Sequence, residues 1–183
     1  MKRNAGIKLV RRQRGFTILE VMVSVAVLGI LTAAAVPSFT NMINRNRLAS
    51  QSNELLSAIQ FARIEAIRTN ARVTFCGAPS ATAAAESACD DGEQPYWVVI
   101  GGGQQLRVFA VKDPMKISTN LEKIRFTADG LARDTSTNAL VAGEITVCLA
   151  TTNPAQNKRV LNIASGSRVI ISTPTADGGG TCS

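Results

Sequence analysis

The sequence has no histidine, and its four cysteines form no C-x-x-C pair. Without histidine the chain lacks the usual general base of enzymes and both the Ser-His and the Cys-His nucleophile pairs. It also lacks the imidazole that would complete a mixed cysteine–histidine zinc site. We therefore predict no enzymatic activity, no cofactor, no metal site and no small-molecule substrate.

Net positive charge is nearly absent after residue 15, although the net charge of the whole chain is +7. Six of the 20 basic residues precede Gly15, and the 14 that follow nearly balance the 13 acids. The six are Lys2, Arg3, Lys8, Arg11, Arg12 and Arg14. A basic flank before an apolar run is typical of a segment that stays in the cytoplasm. The remainder has the length of one modest domain and no internal repeat.

The apolar run is 21 residues long, from Phe16 to Val36, and Glu20 is its only charge. As a helix it spans roughly 32 Å, about one hydrocarbon core. A cleaved signal peptide is one interpretation, since Ala33 and Ala35 form an A-x-A site, but the run is long and contains an acid. A plain membrane anchor is another, but it leaves unexplained a carboxylate that costs about 2.5 kcal/mol or more in the bilayer.

A third interpretation explains the acid, because "RGFTILE" resembles the leader of type IV pilins and type II secretion pseudopilins. In that family a peptidase cuts after a glycine, the new first residue is N-methylated, and the fifth residue of the mature chain is Glu. The matching positions are Gly15, Phe16 and Glu20, and Pro37 falls where the family often has a helix-kinking proline. The resemblance implies a cleaved leader at 1–15, a long helix at 16–71 that is transmembrane over 16–36, and a periplasmic β domain at 72–183.

The resemblance also implies a role for Glu20 in assembly. Cleavage after Gly15 creates a positive amine on Phe16 at the edge of an apolar environment. When subunits pack side by side, Glu20 of one subunit neutralises the Phe16 amine of a neighbour, and a buried charge is tolerated when it is paired. The alternative is that Glu20 extends to the membrane interface without a partner.

Beyond the membrane segment, apolar and small residues continue at spacings of three and four, which predicts one buried helix stripe. The stripe comprises Leu48, Ser52, Leu55, Ile59, Ala62 and Ala66. We predict that it packs on the β domain, that the helix ends near Thr69–Ala71, and that Pro37 kinks it. Short antiparallel strands are predicted after the helix, with Gly101–Gly103 as a hairpin turn. They are "RVTFC", "YWVVI", "LRVFAV", "EKIRF", "EITVCLA", "KRVLNIA" and "RVIIST".

The cysteines predict two disulfides if the domain is exported. Three connectivities exist, and we favour Cys76–Cys89 with Cys148–Cys182, because each bond joins neighbouring cysteines across a polar loop. Each contributes about 3 kcal/mol in the chain-entropy description. Four reduced thiols would fit only a cytosolic protein.

The segments "FARIEAIRTNARVTFC", "YWVVI", "IRFTADGLA" and "RVLNIASGSRVII" resemble, in that order, the H-type minor pseudopilins, which include FimT, FimU and GspH. The resemblance implies an α+β pilin-like fold with the long helix packed on an antiparallel, β-sandwich-like domain. It implies a minor subunit that initiates or caps a type IV pilus and works with other minor pilins, the major pilin or pseudopilins, prepilin peptidase and the inner membrane. The protein would cross that membrane once and end at the filament tip. A type II secretion pseudopilin is the alternative.

DNA binding is a second alternative, since some FimT-type pilins take up DNA through a G-R-x-R motif. The corresponding stretch is "SGSRVII", where Gly166 matches and Ser167 replaces the first arginine. Lys158, Arg159 and Arg168 are the candidate phosphate contacts. We favour ordinary solvated strand charges, because the motif departs at both arginines and the mature chain is nearly neutral.

Overall fold

The computed structural model describes residues 15–90, 92–175 and 180–182, which form one long helix followed by nine strands. The helix α1 is Ile18–Thr69, and a short 3-10 helix, Glu86–Ala88, lies between the first two strands. The strands are β1 Val73–Ala78, β2 Tyr96–Gly101, β3 Gln104–Ala110, β4 Met115–Thr119, β5 Lys123–Phe126, β6 Ala132–Arg133, β7 Gly143–Leu149, β8 Lys158–Ala164 and β9 Arg168–Ser172. The chain divides into two compact units after Phe39.

The predicted helix stripe is confirmed, because none of its six residues is more than 2% exposed. Gln51 and Ala58 are buried beside it. The Gln51 amide donates to the carbonyl of Ala110 and accepts from the N–H of Lys112, each at 3.4 Å. The helix is therefore joined to the end of β3 by polar contacts as well as by apolar packing.

Helix α1 ends where the sequence predicts. Asn70 adopts a left-handed conformation with φ of 50°, and the N–H of Ala71 donates to the carbonyl of Ala66 at 3.2 Å. This hydrogen bond across a left-handed residue is a Schellman cap, a conformation that asparagine tolerates better than most side chains.

The nine strands form two antiparallel sheets, ordered β3-β2-β1-β5-β6 and β4-β7-β8-β9. Both sheets and the second part of α1 contribute to one apolar core. Its central side chains include Leu55 from the helix, Phe75 from the first sheet and Leu161 from the second. The expected α+β architecture, a long helix packed on antiparallel β-structure, is confirmed; the sequence prediction lacked β4 and β6.

The predicted hairpin joins β2 to β3. Its two turn residues, Gly102 and Gly103, have φ values of 61° and 74°. A two-residue turn with both φ angles positive has the twist that a tight antiparallel hairpin needs, and it favours glycine at both positions.

A second, smaller core lies on the other face of β1, under the loop that connects it to β2. Cys76, Ala78 and Val98 are buried there together with Ala83 from the loop. The Cys76–Cys89 disulfide holds the loop in place. Strand β1 is therefore buried on both faces.

Truncation of Leu55 to alanine should destabilise the domain by roughly 2–5 kcal/mol, because Leu55 is 1% exposed in the shared core and the truncation leaves a cavity. Urea unfolding followed by the fluorescence of Trp97, the single tryptophan, measures the loss. Ile64→Ala on the same helix is the matched control, since Ile64 is 62% exposed and should change stability by less than about 0.5 kcal/mol. Equal effects of the two substitutions would contradict this packing.

The loop over β1 is also held by Glu86, which accepts hydrogen bonds from the Thr74 hydroxyl and, at 2.8 Å, from Nη2 of Arg125. Partial burial alone would raise the pKa of Glu86. The bonds from Thr74 and Arg125, with the charges of Arg125 and Lys123, outweigh burial and leave that pKa below its ordinary value.

A carboxylate whose pKa is lowered by folding stabilises the folded state at pH values above the pKa that it has in the unfolded chain. This contribution is lost as the pH falls through the folded-state pKa. The midpoint of urea unfolding of the native chain should therefore fall on acidification below about pH 4.5. Glu86→Gln should lower this midpoint at pH 7 and make it less dependent on pH. Glu122→Gln, at an exposed carboxylate paired with Lys123, should follow the native profile. A native-like profile for Glu86→Gln would contradict the role of Glu86.

Candidate assembly site

The start of α1 is capped by the side chain of the residue before it. The Thr17 hydroxyl accepts a hydrogen bond from the N–H of Glu20 at 3.2 Å, and the Thr17 carbonyl accepts from the N–H of Val21. Thr17 is thus the N-cap and Glu20 the third helical residue. This is the sequence arrangement of a capping box, in which the Thr17 half is formed and the Glu20 carboxylate does not bond the Thr17 N–H. The acid also lies at the positive end of the helix dipole. The threonine three residues before Glu20 was a readable sign of this cap that the sequence analysis missed.

The carboxylate of Glu20 has no hydrogen-bond or ion-pair partner among the described residues. It is exposed, and it lies among Phe16, Ile18 and Leu19, each more than 70% exposed. The segment therefore presents one unpaired acid on an otherwise apolar surface, immediately after the predicted cleavage position.

The apolar surface continues along the helix. Helix α1 is long and apolar enough to cross a membrane, and none of its most apolar stretch of 18 residues is buried. The two hydroxyls between Ile18 and Val36 are satisfied within the helix, since Ser24 donates to the carbonyl of Glu20 at 2.7 Å and Thr32 to that of Leu28 at 2.9 Å. Polar groups bonded inside the helix can enter hydrocarbon, whereas unbonded ones cannot do so cheaply. Glu20 is thus the exception in this part of the described chain.

The other sequence-predicted positions in this region have different outcomes. Gly15 is exposed, with open space around its α-carbon. Pro37 lies within α1, and the predicted kink there stays a prediction. The predicted leader falls, apart from Gly15, on residues 1–14, which lie outside the described residues.

The cysteines pair as the sequence favours. Cys76 is bonded to Cys89 and Cys148 to Cys182. The second bond ties the segment 180–182 to β7, where the N–H of Gly180 also donates to the carbonyl of Thr151 at 2.9 Å.

The three candidate DNA contacts do not form one patch. Lys158 and Arg159 begin β8, whereas Arg168 pairs with Ala164 at the opposite end of that strand. Six residues of β-strand correspond to about 20 Å. The structure therefore brings Lys158 and Arg159 together and separates Arg168 from them.

Ser167, at the position of the first motif arginine, is 4% exposed with φ of 67°. Its hydroxyl accepts a hydrogen bond from the N–H of Ala132 at 2.5 Å, which links the β8–β9 turn to β6 in the other sheet. A long cationic side chain would not fit this enclosed site, so the position serves the fold and presents no phosphate contact.

An apolar, capped N-terminal helix with a lone acid, continued by a helix packed on antiparallel sheets, defines a type IV pilin-like subunit. A family model described as "Type II transport protein GspH" matches residues 51–173, and the chain belongs to this family of minor pilins and pseudopilins. The prokaryotic N-terminal methylation motif matches residues 10–36. Members of the family are structural, pilin-like proteins that assemble with other pilins.

Individual proteins resemble parts of the chain. It is 41% identical over 51 residues to the type IV major fimbrial protein FimA of Dichelobacter nodosus, covering 26% of this chain and 33% of that protein. It is 32% identical over 72 residues to a fimbrial protein of Pseudomonas aeruginosa, covering 39% of this chain and 46% of that one. The chain thus spans about a third to a half of the length of these relatives.

A crystal structure of the type IV minor pilin FimU from Pseudomonas aeruginosa has a similar fold. The TM-score is 0.50 at 19% identity, over 72% of this chain and 96% of that one. At this identity the likeness shows the fold alone.

Proposed function

We propose that this chain is a minor subunit of a type IV pilus that is cut after Gly15, N-methylated on Phe16, and incorporated into a complex that initiates or caps the filament. Other minor pilins and the major pilin are its partners there. The observation that carries the proposal is the unpaired carboxylate of Glu20 on the exposed, apolar first part of α1. An apolar surface of this kind can be buried in a membrane or in a helix bundle. The acid, when it is buried with that surface, needs a positively charged partner.

The cation is the amine created on Phe16 by cleavage. Among the described residues the Glu20 carboxylate bonds neither the Phe16 nor the Thr17 N–H, so it remains available to the Phe16 amine of an adjacent subunit. Pairing in the low-dielectric interior of a helix bundle offsets the cost of burying both charges. Glu20 is thus costly in the isolated subunit and satisfied in the assembly.

The charge distribution supports an orientation. Six basic residues precede the apolar helix, and such a flank stays in the cytoplasm. The β domain then lies in the periplasm, where both disulfides form readily. In this assignment the protein is structural, without catalysis, cofactor or small-molecule substrate, and it reaches the cell surface only as part of the filament.

The mass of the intact protein recovered from its native membrane tests the proposal. The expected mass is that of a chain beginning at N-methylated Phe16 and carrying two disulfides. A chain beginning at Val36 would instead indicate ordinary signal peptidase, and an uncut chain would indicate a plain anchor; either result overturns the proposal.

A type II secretion pseudopilin is the second candidate, favoured by the description of the matching family. Deletion of the gene separates the two. Loss of surface pili with normal secretion supports the pilus, whereas loss of secreted proteins with normal pili supports the secretion system.

A further inference from the structure

A concave basic site lies where the start of the periplasmic unit meets the end of β9. It has a volume of about 440 Å³ and is lined by Arg45, Gln156, Arg159, Thr173, Pro174 and Thr175. This volume falls within the roughly 300–1,000 Å³ of small-ligand pockets. Its polar lining is two guanidinium groups, one amide and two hydroxyls, all of which can donate hydrogen bonds.

The walls of this site are fixed to one another. Asn41 donates from Nδ2 to Oδ1 of Asn153 at 2.8 Å, and Asn44 donates from Nδ2 to the Asn153 carbonyl at 2.7 Å. These bonds hold the β7–β8 loop against the helix, one residue before Arg45. On the strand, Nη1 of Arg159 donates to the carbonyl of Lys158 at 3.1 Å. The two arginines therefore approach the concavity from different segments that are already held in place.

The charge at this site has one sign. Residues 40–53 and 150–175 contain five basic residues and no acid. Neither Arg45 nor Arg159 forms an ion pair with another described residue. The nearest acids that follow these two segments are Glu54, which is paired with Lys112, and Asp177, which lies outside the described residues. Two guanidinium groups converging with hydroxyls on one small volume favour a phosphate, which guanidinium binds through paired hydrogen bonds.

The sequence position of Arg45 restricts the source of that phosphate. Arg45 is nine residues after Val36, the end of the membrane segment, so it lies within about 30 Å of the bilayer even for a fully extended chain. A basic residue on the exported side of a membrane segment, as Arg45 is in the proposed orientation, also runs against the usual excess of lysine and arginine on the cytoplasmic side. We propose that this concavity binds the phosphate headgroup of an anionic phospholipid in the outer leaflet, an inference that rests on the proposed membrane insertion of the subunit.

Native mass spectrometry of the mature chain, purified in non-ionic detergent, tests this inference. Phosphatidylglycerol should bind more tightly than phosphatidylcholine. The double variant Arg45→Gln/Arg159→Gln should weaken the first phosphatidylglycerol by about 25-fold, at about fivefold per arginine. The variant Arg45→Lys/Arg159→Lys keeps both charges but lacks the paired hydrogen bonds of guanidinium, so its affinity should fall between those of the native chain and the glutamine variant, which separates loss of charge from misfolding.

Arg47→Gln and Arg168→Gln are the matched controls, because each removes one basic charge outside the concavity. They should change lipid affinity by less than about twofold. Losses of affinity equal to those caused by the Arg45 and Arg159 substitutions would show that the lipid does not bind at this concavity. Inorganic phosphate that binds as tightly as the lipid would overturn the lipid source. A DNA duplex that binds in its place, with loss in the double variant, would replace the lipid by nucleic acid.

The same spectra report the N-terminus. Absence of lipid selectivity in a chain that begins at methylated Phe16 overturns this inference and leaves the proposed function intact. A chain that begins elsewhere overturns the proposed function itself.

Discussion

Glu20→Gln should reduce entry of the subunit into filaments to background while leaving its insertion in the membrane intact or improved. Removing the charge lowers the cost of insertion, which is at most about 2.5–3.5 kcal/mol for an acid at the centre of the bilayer, but it leaves the Phe16 amine of a neighbour buried without a counter-charge. Fractionation of cells into membrane and sheared pili, with immunodetection of the subunit, measures both quantities. Full entry of the glutamine variant would contradict charge pairing.

Glutamine is chosen because it removes the charge of Glu20 and keeps the length and polarity of its side chain. The hydrogen bond from the backbone N–H of residue 20 to the Thr17 hydroxyl does not involve that side chain, so both Glu20→Gln and Glu20→Ala retain the cap at Thr17. If the glutamine variant assembles and the alanine variant does not, a polar side chain at this position is what matters and the paired-charge explanation is wrong.

Gly15→Val should leave the whole population of the protein as uncut precursor. Gly15 is exposed with open space around it, so the substitution should not disturb the fold. A β-branched side chain instead alters the position that the resemblance places directly at the scissile bond. Gel mobility and intact mass of the membrane fraction distinguish precursor from mature chain.

Gly29→Val is the control for this substitution. Gly29 is also surrounded by open space, but it lies within the apolar helix and away from the junction. It should be processed and methylated normally. Normal maturation of Gly15→Val would exclude the glycine as the cleavage determinant, whatever the behaviour of the control.

The helix could be predicted from the sequence because its buried residues follow one regular spacing over several turns. The six residues of the stripe, from Leu48 to Ala66, are spaced three and four apart, and all six are buried. Glu65 shows where such reading stops. It is only 9% exposed, although it is charged and is not part of the predicted stripe. Arg68 explains its burial, since its Nε and Nη2 donate to the Glu65 carboxylate at 2.8 and 2.6 Å.

The sheets were less readable, because short strands carry little pattern. Met115 and Ile117 alternate with polar neighbours in β4, a signal that was present and overlooked after Pro114. Strand β6 has two residues and no period, so only its pairing with β5 defines it. The second core under the β1–β2 loop was equally hidden, since its loop members are alanines that predict nothing alone.

At the assembly site, the sequence indicated which residues matter but not which other residues surround them in the fold. The roles of Gly15, Phe16 and Glu20 came from the resemblance to the pilin leader, whereas the absence of a partner for Glu20 among the described residues and the enclosure of Ser167 needed coordinates. The sequence analysis did not single out Arg45, because its neighbours in the concavity come from residues more than 100 positions away.

The order of the cysteines has a consequence for export. Each disulfide joins consecutive cysteines, Cys76 to Cys89 and Cys148 to Cys182, with separations of 13 and 34 residues. In the proposed orientation the chain emerges in the periplasm starting from its helix, so Cys89 meets Cys76 before any competitor has crossed. Stepwise translocation thereby selects one of three connectivities by timing, and the correct pairs form without reshuffling.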